Sequence, residues 1–270
     1  MNKKIGFIGL GKMATAIISG ILESSFSENV EVAGFEINEE AAKKFQSKYP
    51  IKLFATPQEL VKNSDIVFLC VKPFVIKDVL NNIKDAVDDK QVIVSIAAGI
   101  AIKTISSIIG ESRSIIRIMP NTPALVKSGM SGLAANDNVS KENVEYVVAL
   151  LSSISKVVCL DEKLLDAVTA LSGSGPAFYY FLINQFALSA VKEGLDMKDA
   201  LVMSAQTALG AAKMILETGE TPEILIKNVT TPGGTTEVGN NVLNSSCIPE
   251  IFDEVIAKTA QKSRELGKNC

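Results

Sequence analysis

The amino terminus carries the feature that most constrains the fold, a short apolar run followed at once by closely spaced glycines. Residues 4–14 read KIGFIGLGKMA, so Gly9, Gly11 and Ala14 fall on a G-x-G-x-x-A spacing. Gly9 permits a tight turn, Gly11 has no Cβ to keep an anion away from the backbone, and Ala14 lets a helix pack closely on the strand. The stretch therefore predicts a strand, a turn and a helix whose first N–H groups face the pyrophosphate of a dinucleotide.

The residues that follow support this interpretation. Residues 15–29 have a helical pattern, residues 30–35 (VEVAGF) read as a second strand, and Glu36 stands at the end of that strand. An acidic side chain there, roughly 25 residues after the turn, is placed to reach a ribose 2′-OH. The alternative is an ordinary strand-to-helix turn that binds nothing, because glycine turns after strands are common.

Composition excludes several classes of function. The chain has 270 residues, 47% of them hydrophobic and 21% charged, with a formal net charge of −3, so no electrostatic footprint for nucleic acid or an anionic membrane is present. We therefore expect small molecules and further copies of this chain as partners. It has no histidine and no tryptophan, which excludes Ser-His-Asp and Cys-His catalysis and any histidine-ligated metal. We expect no metal site.

The cysteines and the apolar segments predict a cytoplasmic protein. Cys70, Cys159, Cys247 and Cys270 are widely spaced, and we expect reduced thiols. No amino-terminal segment has the order of a signal peptide. The longest apolar stretch, residues 177–191, contains polar residues and falls short of the about 20 residues that span a bilayer.

Residues 1–160 alternate apolar strand runs with helical patterns, which predicts a dinucleotide-binding domain with a Rossmann-like, doubly wound parallel sheet. Strands are predicted at residues 65–71 and 91–96. Ligands in such sheets lie beyond the carboxyl ends of the strands. We therefore expect one crevice beside the glycine turn to be lined by Val71, Lys72, Pro73, Ile96, Ala97 and Ala98.

Two features of this crevice leave alternatives open. Lys72 either pairs with a cofactor phosphate or is a solvated loop lysine. Residues 117–123 (RIMPNTP) follow another strand, and their two prolines fix a defined loop. That loop either holds polar groups over a nicotinamide or is a plain connector.

Residues 161–270 predict an all-helical domain, with helices at about 162–172, 176–194, 197–217, 222–230, 236–245 and 249–267. Asp161 is placed to cap the first helix. These helices are more apolar than one small domain easily buries, so a dimer that shares this half of the chain is expected.

A second stretch with chemistry lies in this half. Residues 228–237 read NVTTPGGTTE, and two glycines between threonines at the start of a helix form a nest of backbone N–H groups with hydroxyls beside it. Such a nest suits a carboxylate. The alternative is a loop between helices in which Thr235 or Thr236 is the N-cap.

Several segments together resemble the Δ1-pyrroline-5-carboxylate reductases. The resemblance covers essentially the whole chain, in the family's order and spacing. The segments are residues 6–13 (GFIGLGKM), 71–73 (VKP), 95–99 (SIAAG), 117–123 (RIMPNTP), 171–177 (LSGSGPA) and 231–236 (TPGGTT).

This resemblance implies reduction of a cyclic imine, pyrroline-5-carboxylate, to proline with NADPH or NADH, as the last step of proline biosynthesis. It also implies an obligate dimer of intertwined helical domains, often assembled further into rings. A protonated imine is already electrophilic at carbon, so hydride transfer needs no strong general acid, in agreement with the missing histidine. Positioning then does most of the catalytic work.

The resemblance also implies roles for individual residues. The pyrophosphate is held by Gly9, Gly11, Lys12 and Met13, and Leu10 in the same turn also belongs to the cofactor site. The rest of the cofactor is flanked by the crevice residues given above and approached by Asn228. The substrate loop comprises Thr231, Gly234, Thr235 and Thr236, whose amides take the substrate carboxylate. Thr236 is the expected catalytic residue, because its hydroxyl bonds the ring nitrogen, and Glu162 is the acidic residue near the substrate.

Glu36 departs from the family pattern. NADPH-using members present small hydroxyls, Asn or Arg to the 2′-phosphate, whereas this chain has Glu36 followed by Ile37. A carboxylate bonds a free ribose and repels a phosphate. We therefore expect NADH to be used at least as well as NADPH, unless Lys43 or Lys44 supports phosphate binding.

Two other functions compete with the reductase. The first is a β-hydroxyacid dehydrogenase or imine reductase of similar build. Those hydroxyacid enzymes carry a catalytic lysine on the helix after a comparable glycine segment, where this chain has Phe178, Tyr179 and Tyr180. The second is a non-catalytic dinucleotide sensor, which binds NAD(P)H without turnover.

Overall fold

The computed structural model describes residues 2–268, so Cys270 lies outside the described residues. The chain divides into two compact units. The first, here called the sheet unit, runs to Ser174 and resumes at Ile256. The second, the helical unit, is Gly175–Val255. The last strand ends at Cys159, whereas the sheet unit continues to Ser174. The change from strands to helices therefore comes before the boundary between the two units. The domain boundary between residues 160 and 161 stays a prediction.

The sheet unit is built on one eight-stranded sheet. Its order is β3-β2-β1-β4-β5-β6-β7-β8, and all neighbours from β3 to β6 are parallel. This confirms the predicted Rossmann-like sheet. The strands are β1 (Lys3–Ile8), β2 (Val30–Phe35), β3 (Lys52–Leu53), β4 (Ile66–Leu69), β5 (Val92–Ser95), β6 (Ser114–Met119), β7 (Gly129–Ala135) and β8 (Ser155–Cys159).

The last two strands, β7 and β8, extend the sheet but run in the direction opposite to the other six strands. β7 is antiparallel to β6, and β8 is parallel to β7. The connection from β6 to β7 contains only a short 3₁₀ segment, Thr122–Val126. A parallel crossover takes a connection of about a dozen residues or more, usually with a helix. The short connection therefore turns the chain back along β6.

Helices cover both faces of the sheet and give it two apolar layers. One layer joins Ile5 and Phe7 of β1 to Ile17 of the first helix, whereas Ile8 faces the other layer. The alternation along β1 follows from the two-residue period of a strand. The helices are α1 (Lys12–Leu22), α2 (Glu39–Gln46), α3 (Pro57–Lys62), α4 (Ile76–Ile83), α5 (Ile102–Ile109) and α6 (Lys141–Leu151).

The helix predicted at residues 162–172 forms, but in three different geometries. A 3₁₀ turn, Glu162–Leu164, leads into α7 (Leu165–Val168) and then into a π turn, Thr169–Gly173. Asp161 occupies the predicted N-cap position of this segment. The Asp161 side chain accepts no capping bond and instead pairs with Lys163 at 2.9 Å, which lowers the pKa of the Asp161 carboxyl.

The helical unit begins with the first residue of α8. Its elements are α8 (Gly175–Lys192), α9 (Met197–Thr218), α10 (Pro222–Val229), α11 (Thr235–Asn244) and the first part of α12 (Ile248–Lys268), whose second part belongs to the sheet unit. These helices confirm the predicted all-helical region. Within residues 175–255, all of which are described, only Gly175, Ala187 and Ala200 are buried. Most of the large apolar side chains of this unit are therefore exposed in the single chain.

Across residues 2–268, none of the helices is long and apolar enough to cross a membrane.

Candidate active site

The carboxyl ends of four neighbouring strands meet in one row. The sheet register places Ile8 beside Phe35 and Leu69, and Leu69 beside Ser95. The residues that directly follow these strands therefore come together at one edge of the sheet. They are Gly9, Glu36, Cys70 and Ile96. This is the edge at which open α/β sheets bind their ligands.

The glycine turn has the geometry that its sequence predicts. Gly9 has φ +89°, and a Cβ there would lie 2.8 Å from the Cys70 carbonyl oxygen. A Cβ at Gly11, by contrast, would have no atom within 4 Å, so the space in front of the turn is open. In the described chain, the first amides of α1, at Lys12 and Met13, meet no acceptor. Open space and unpaired helix amides together suit an anion such as a pyrophosphate.

Glu36 lies against this turn. Its Oε2 accepts a hydrogen bond from the Leu10 amide at 2.9 Å, and its Oε1 accepts one from the Asn38 amide at 3.1 Å. Two backbone bonds therefore fix a negative charge beside the turn. Lys43 lies in the last turn of α2. Among the described residues neither Lys43 nor its neighbour Lys44 forms an ion pair with Glu36.

The other predicted crevice residues lie at the same edge. Lys72 is exposed and precedes a short 3₁₀ turn, Pro73–Val75, whereas Val71 packs against Gly9. Past β5, Ala97 is buried and its amide donates to the Ser95 hydroxyl at 3.3 Å. The flanking Ile96 and Ala98 are half-buried. The structure thus brings the predicted cofactor residues of the sheet unit together.

Cys70 follows β4 at this edge, and burial raises the pKa of its thiol. The side chain therefore stays protonated at neutral pH. Cys70, Cys159 and Cys247 are free thiols, which confirms the prediction for these three.

Glu162 makes two contacts within the sheet unit, neither of which was predicted from the sequence. Its Oε1 accepts from the Ile102 amide at 2.7 Å and pairs with Arg117 Nη1 at 3.1 Å. No bond to its Oε2 occurs among the described residues. Glu162 therefore joins β6 to the start of α5. The role of Arg117 was missed, and the available signal was a charge in an otherwise apolar strand.

The loop after β6 is held by Asn121. Its Nδ2 donates to the Ser172 carbonyl at 3.0 Å, and its Oδ1 accepts from the Met130 amide at 2.9 Å. The Asn121 side chain is therefore used inside the sheet unit, where it ties the loop to the π turn. Residues 117–123 were predicted either to hold polar groups over a nicotinamide or to form a plain connector. For Asn121, these two bonds favour the connector.

The second predicted loop lies in the helical unit. Gly234 is the N-cap residue of α11, and no side chain caps this helix, so the alternative with Thr235 or Thr236 as the N-cap is wrong. The Gly234 amide donates to the Thr231 carbonyl at 2.9 Å. Thr235 is exposed and Thr236 is half-buried. Asn228 is exposed in α10, in the same unit as this loop.

This loop already holds a carboxylate of its own chain. The Gly233 amide donates to Glu237 Oε2 at 2.8 Å. Sequence reasoning missed this contact, although an acid four residues after a glycine at a helix start is a recognisable signal. The contact shows that the turn offers an amide to a carboxylate.

The predicted site residues thus form two groups, one within each unit. The dinucleotide group and Glu162 belong to the sheet unit, and the substrate loop with Asn228 belongs to the helical unit. Over residues 2–268, no three His, Cys, Asp or Glu side chains are grouped as metal ligands.

Comparison with known proteins decides the family. Residues 162–266 match the family described as pyrroline-5-carboxylate reductase dimerisation. A pyrroline-5-carboxylate reductase of Methanosarcina acetivorans is 39% identical over 267 residues, which cover 99% of each chain. The chain belongs to the pyrroline-5-carboxylate reductase family. Residues 4–99 match a second family, described as NADP oxidoreductase, coenzyme F420-dependent. This match confirms the predicted class, an oxidoreductase that uses a nicotinamide cofactor.

Solved structures of pyrroline-5-carboxylate reductases share the fold. The Coxiella burnetii reductase aligns with a TM-score of 0.93 at 31% identity, covering 98% of this chain and 99% of that one. The Plasmodium falciparum enzyme, solved with NADP bound, aligns with a TM-score of 0.85 at 29% identity, covering 98% of both chains. The predicted family resemblance is therefore confirmed along the whole chain.

Proposed function

We propose that this protein reduces L-Δ1-pyrroline-5-carboxylate to L-proline with a hydride from NADH or NADPH, the last step of proline biosynthesis. The observation that best supports this is the identity of 39% with a pyrroline-5-carboxylate reductase, because it extends over 99% of both chains. A β-hydroxyacid dehydrogenase is disfavoured, since α8 carries Phe178, Tyr179 and Tyr180 where those enzymes have a catalytic lysine.

The dinucleotide is assigned to the edge of the sheet unit. The open space at Gly11 and the unpaired amides of α1 fit a pyrophosphate, and Glu36 fits a ribose hydroxyl. When bound, the cofactor supplies the hydride. The pyrophosphate is assigned to Gly9, Gly11, Lys12 and Met13, and Leu10 is assigned to the cofactor site as the turn residue whose amide holds Glu36. The remaining contacts are assigned to Val71, Lys72, Pro73, Ile96, Ala97, Ala98 and Asn228.

The substrate is assigned to the loop that begins α11. The amides of Thr235 and Thr236, in the loop that also contains Thr231 and Gly234, bind the substrate carboxylate, in keeping with the amide that Gly233 already donates to a carboxylate in this turn. Thr236 orients the ring nitrogen through its hydroxyl and is the proposed catalytic residue. Glu162 is assigned to the substrate through Oε2, the oxygen not used by Arg117 and Ile102. The protonated imine accepts hydride without a strong acid, so these residues act by position.

NADH is proposed to serve at least as well as NADPH. Two amides hold the Glu36 carboxylate beside the glycine turn, so this charge does not move freely away from an added 2′-phosphate. Two negative groups so close repel each other. The ratio of kcat/KM for the two cofactors measures this preference, and a clear preference for NADPH would contradict it.

A homodimer formed by the helical unit is proposed as the working assembly. Residues 162–266 match a dimerisation family, and most large apolar side chains in the helical unit are exposed in one chain. Larger rings and the cytoplasmic location stay predictions.

The reductase proposal is tested by measuring NADH and NADPH oxidation with racemic pyrroline-5-carboxylate. We expect turnover in the wild type. In Thr236→Ala, loss of one oriented hydrogen bond, worth about 1–3 kcal/mol, lowers kcat/KM by about 5- to 150-fold and leaves cofactor binding intact. Thr236→Ser keeps the hydroxyl and is the matched control. If neither cofactor is oxidised while both still bind, the reductase proposal fails and a non-catalytic dinucleotide sensor becomes the leading account.

A further inference from the structure

The last turns of α12 pack directly on the loop that follows β5. Gly99, in this loop, has φ +77°, and a Cβ there would lie 3.1 Å from the Gly267 nitrogen and 3.4 Å from the Ser263 carbonyl oxygen. In the other direction, a Cβ at Gly267 would overlap the Gly99 carbonyl oxygen. Backbone therefore meets backbone at this contact, and neither glycine leaves room for a side chain.

A buried hydrogen bond holds α12 in this position. Ser263, only 4% exposed, donates from its hydroxyl to Asp166 Oδ1 at 2.6 Å. Asp166 belongs to α7. A short hydrogen bond from a buried hydroxyl to a carboxylate is a strong restraint, because breaking it would leave the buried hydroxyl without an acceptor. α12 is thus fixed to α7 on one side and lies on the loop at Gly99 on the other.

The same loop is held at its far end. Glu162 comes just before α7 and accepts the Ile102 amide at 2.7 Å, at the first turn of α5. The loop from Ile96 to Ile102 is therefore anchored at Ile102 by Glu162 and at Gly99 by α12. The residues assigned to the dinucleotide, Ile96, Ala97 and Ala98, come immediately before the Gly99 contact.

We propose that Ser263 and Gly267 are positioning residues for cofactor binding, because they fix the loop that presents Ile96, Ala97 and Ala98 to the dinucleotide. This inference rests on the proposed function only in placing the dinucleotide against these three residues. Neither Ser263 nor Gly267 needs to touch the cofactor. A displacement of the loop at Gly99 moves its neighbours, and a loop that must be repositioned when the cofactor binds lowers the affinity.

Two variants and one control isolate the contact. Gly267→Ala adds a methyl group where the Gly99 carbonyl oxygen lies, so the loop or the helix end must shift. Ser263→Ala removes the bond to Asp166 and leaves the glycine contact in place. Arg264→Ala changes an exposed residue on the same turns of α12 and is the matched control.

The decisive measurement is the dissociation constant for NADH and for NADPH, from the fluorescence of the bound cofactor in the absence of substrate. We expect the constant for the tighter cofactor to rise about fivefold or more in Gly267→Ala, less in Ser263→Ala, and not at all in Arg264→Ala. At saturating cofactor, KM for pyrroline-5-carboxylate should stay within about twofold of the wild type.

A merely structural role would lower the thermal midpoint and leave the dissociation constants of the folded variants unchanged, and that result would overturn the inference. If Gly267→Ala does not fold, Ser263→Ala provides the same test. Because binding is measured without turnover, the inference stands or falls separately from the reductase proposal. Weaker cofactor binding in a protein that never oxidises NADH or NADPH would support the positioning role and contradict the proposed reaction.

Discussion

The sheet unit buries large apolar side chains in its core, whereas the helical unit leaves most of its own exposed. In the sheet unit, Phe7 and Phe68 are fully buried and stack with ring centroids 4.8 Å apart. In the helical unit, Tyr180 is 62% exposed and Phe186 is 64% exposed. Large exposed apolar patches mark interfaces in folded proteins. The sheet unit therefore completes its core within one chain, whereas the helical unit requires a second apolar surface.

The helical unit contains an apolar groove against which a second apolar surface can pack. It has a volume of about 640 Å³ and is lined mainly by aromatic and aliphatic side chains. Phe178, Phe181 and Phe186 come from α8, and Ile251 and Phe252 come from α12. Since residues 162–266 match a dimerisation family, we assign this groove to a second copy of the chain.

The largest effect is expected in the sheet unit. Phe68→Ala removes a fully buried ring that stacks on Phe7 and should lower the free energy of unfolding by about 3–5 kcal/mol. The loss should be the same at low and high protein concentration, since the ring packs inside one chain. Urea unfolding at two concentrations measures it. If the loss of unfolding free energy disappeared at high protein concentration, the core of the sheet unit would also depend on assembly, which would contradict this prediction.

A somewhat smaller effect is expected in the helical unit. Phe186→Asp places a charge in the apolar groove and should weaken the dimer by about 2–4 kcal/mol, as expected for an aromatic residue at the centre of an interface. Sedimentation velocity over a dilution series measures the dissociation. Val126→Asp, at a 72% exposed position of the sheet unit, is the control and should leave the assembly unchanged. If Phe186→Asp and Val126→Asp dissociated to the same extent, the assembly would not depend on the apolar surface of the helical unit, and the account would be contradicted.

The smallest effect concerns the cysteines. Burial raises the pKa of the Cys70 thiol above its ordinary value of 9.0, so on alkaline titration the unfolded chain releases this proton first. The stabilising contribution is complete below about pH 9 and falls by about 1.4 kcal/mol per pH unit above it. Cys70→Ala should therefore flatten the alkaline loss of stability, whereas Cys247→Ala, exposed in the helical unit, should not. Urea unfolding at pH 8, 9 and 10 compares them, and parallel curves for all three proteins would contradict the assignment.

Local signals in the sequence were sufficient for most of the architecture. The apolar runs of β1 and β2 and the spacing of Gly9, Gly11 and Glu36 predict a strand, turn and helix, and the structure has them. Helical periodicity also located α8 to α12, because apolar residues recur on faces that must be covered. The direction of β7 was not predicted from its residues. The short connection before it, however, excludes a parallel crossover.

Contacts between distant residues could not be predicted in the same way. The break of the helix at Thr169–Gly173 accompanies the bond from Asn121 to Ser172, which joins residues far apart in sequence. The packing of Gly267 on Gly99 is of the same kind. Local propensity contains no information on such partners. The Glu237 contact at Gly233 is local, so it could have been predicted, because an acidic side chain in the first turn of a helix can accept from the amides just before the helix.

The measurement that tests the account most directly is the molar mass of the wild-type protein by sedimentation equilibrium, combined with thermal unfolding over the same concentrations. Each chain has a mass of 28.8 kDa. If the helical unit completes its core with a second copy, the particle has at least twice this mass at micromolar concentration, and the unfolding midpoint rises with concentration. A monomer whose unfolding midpoint does not depend on concentration would contradict the account.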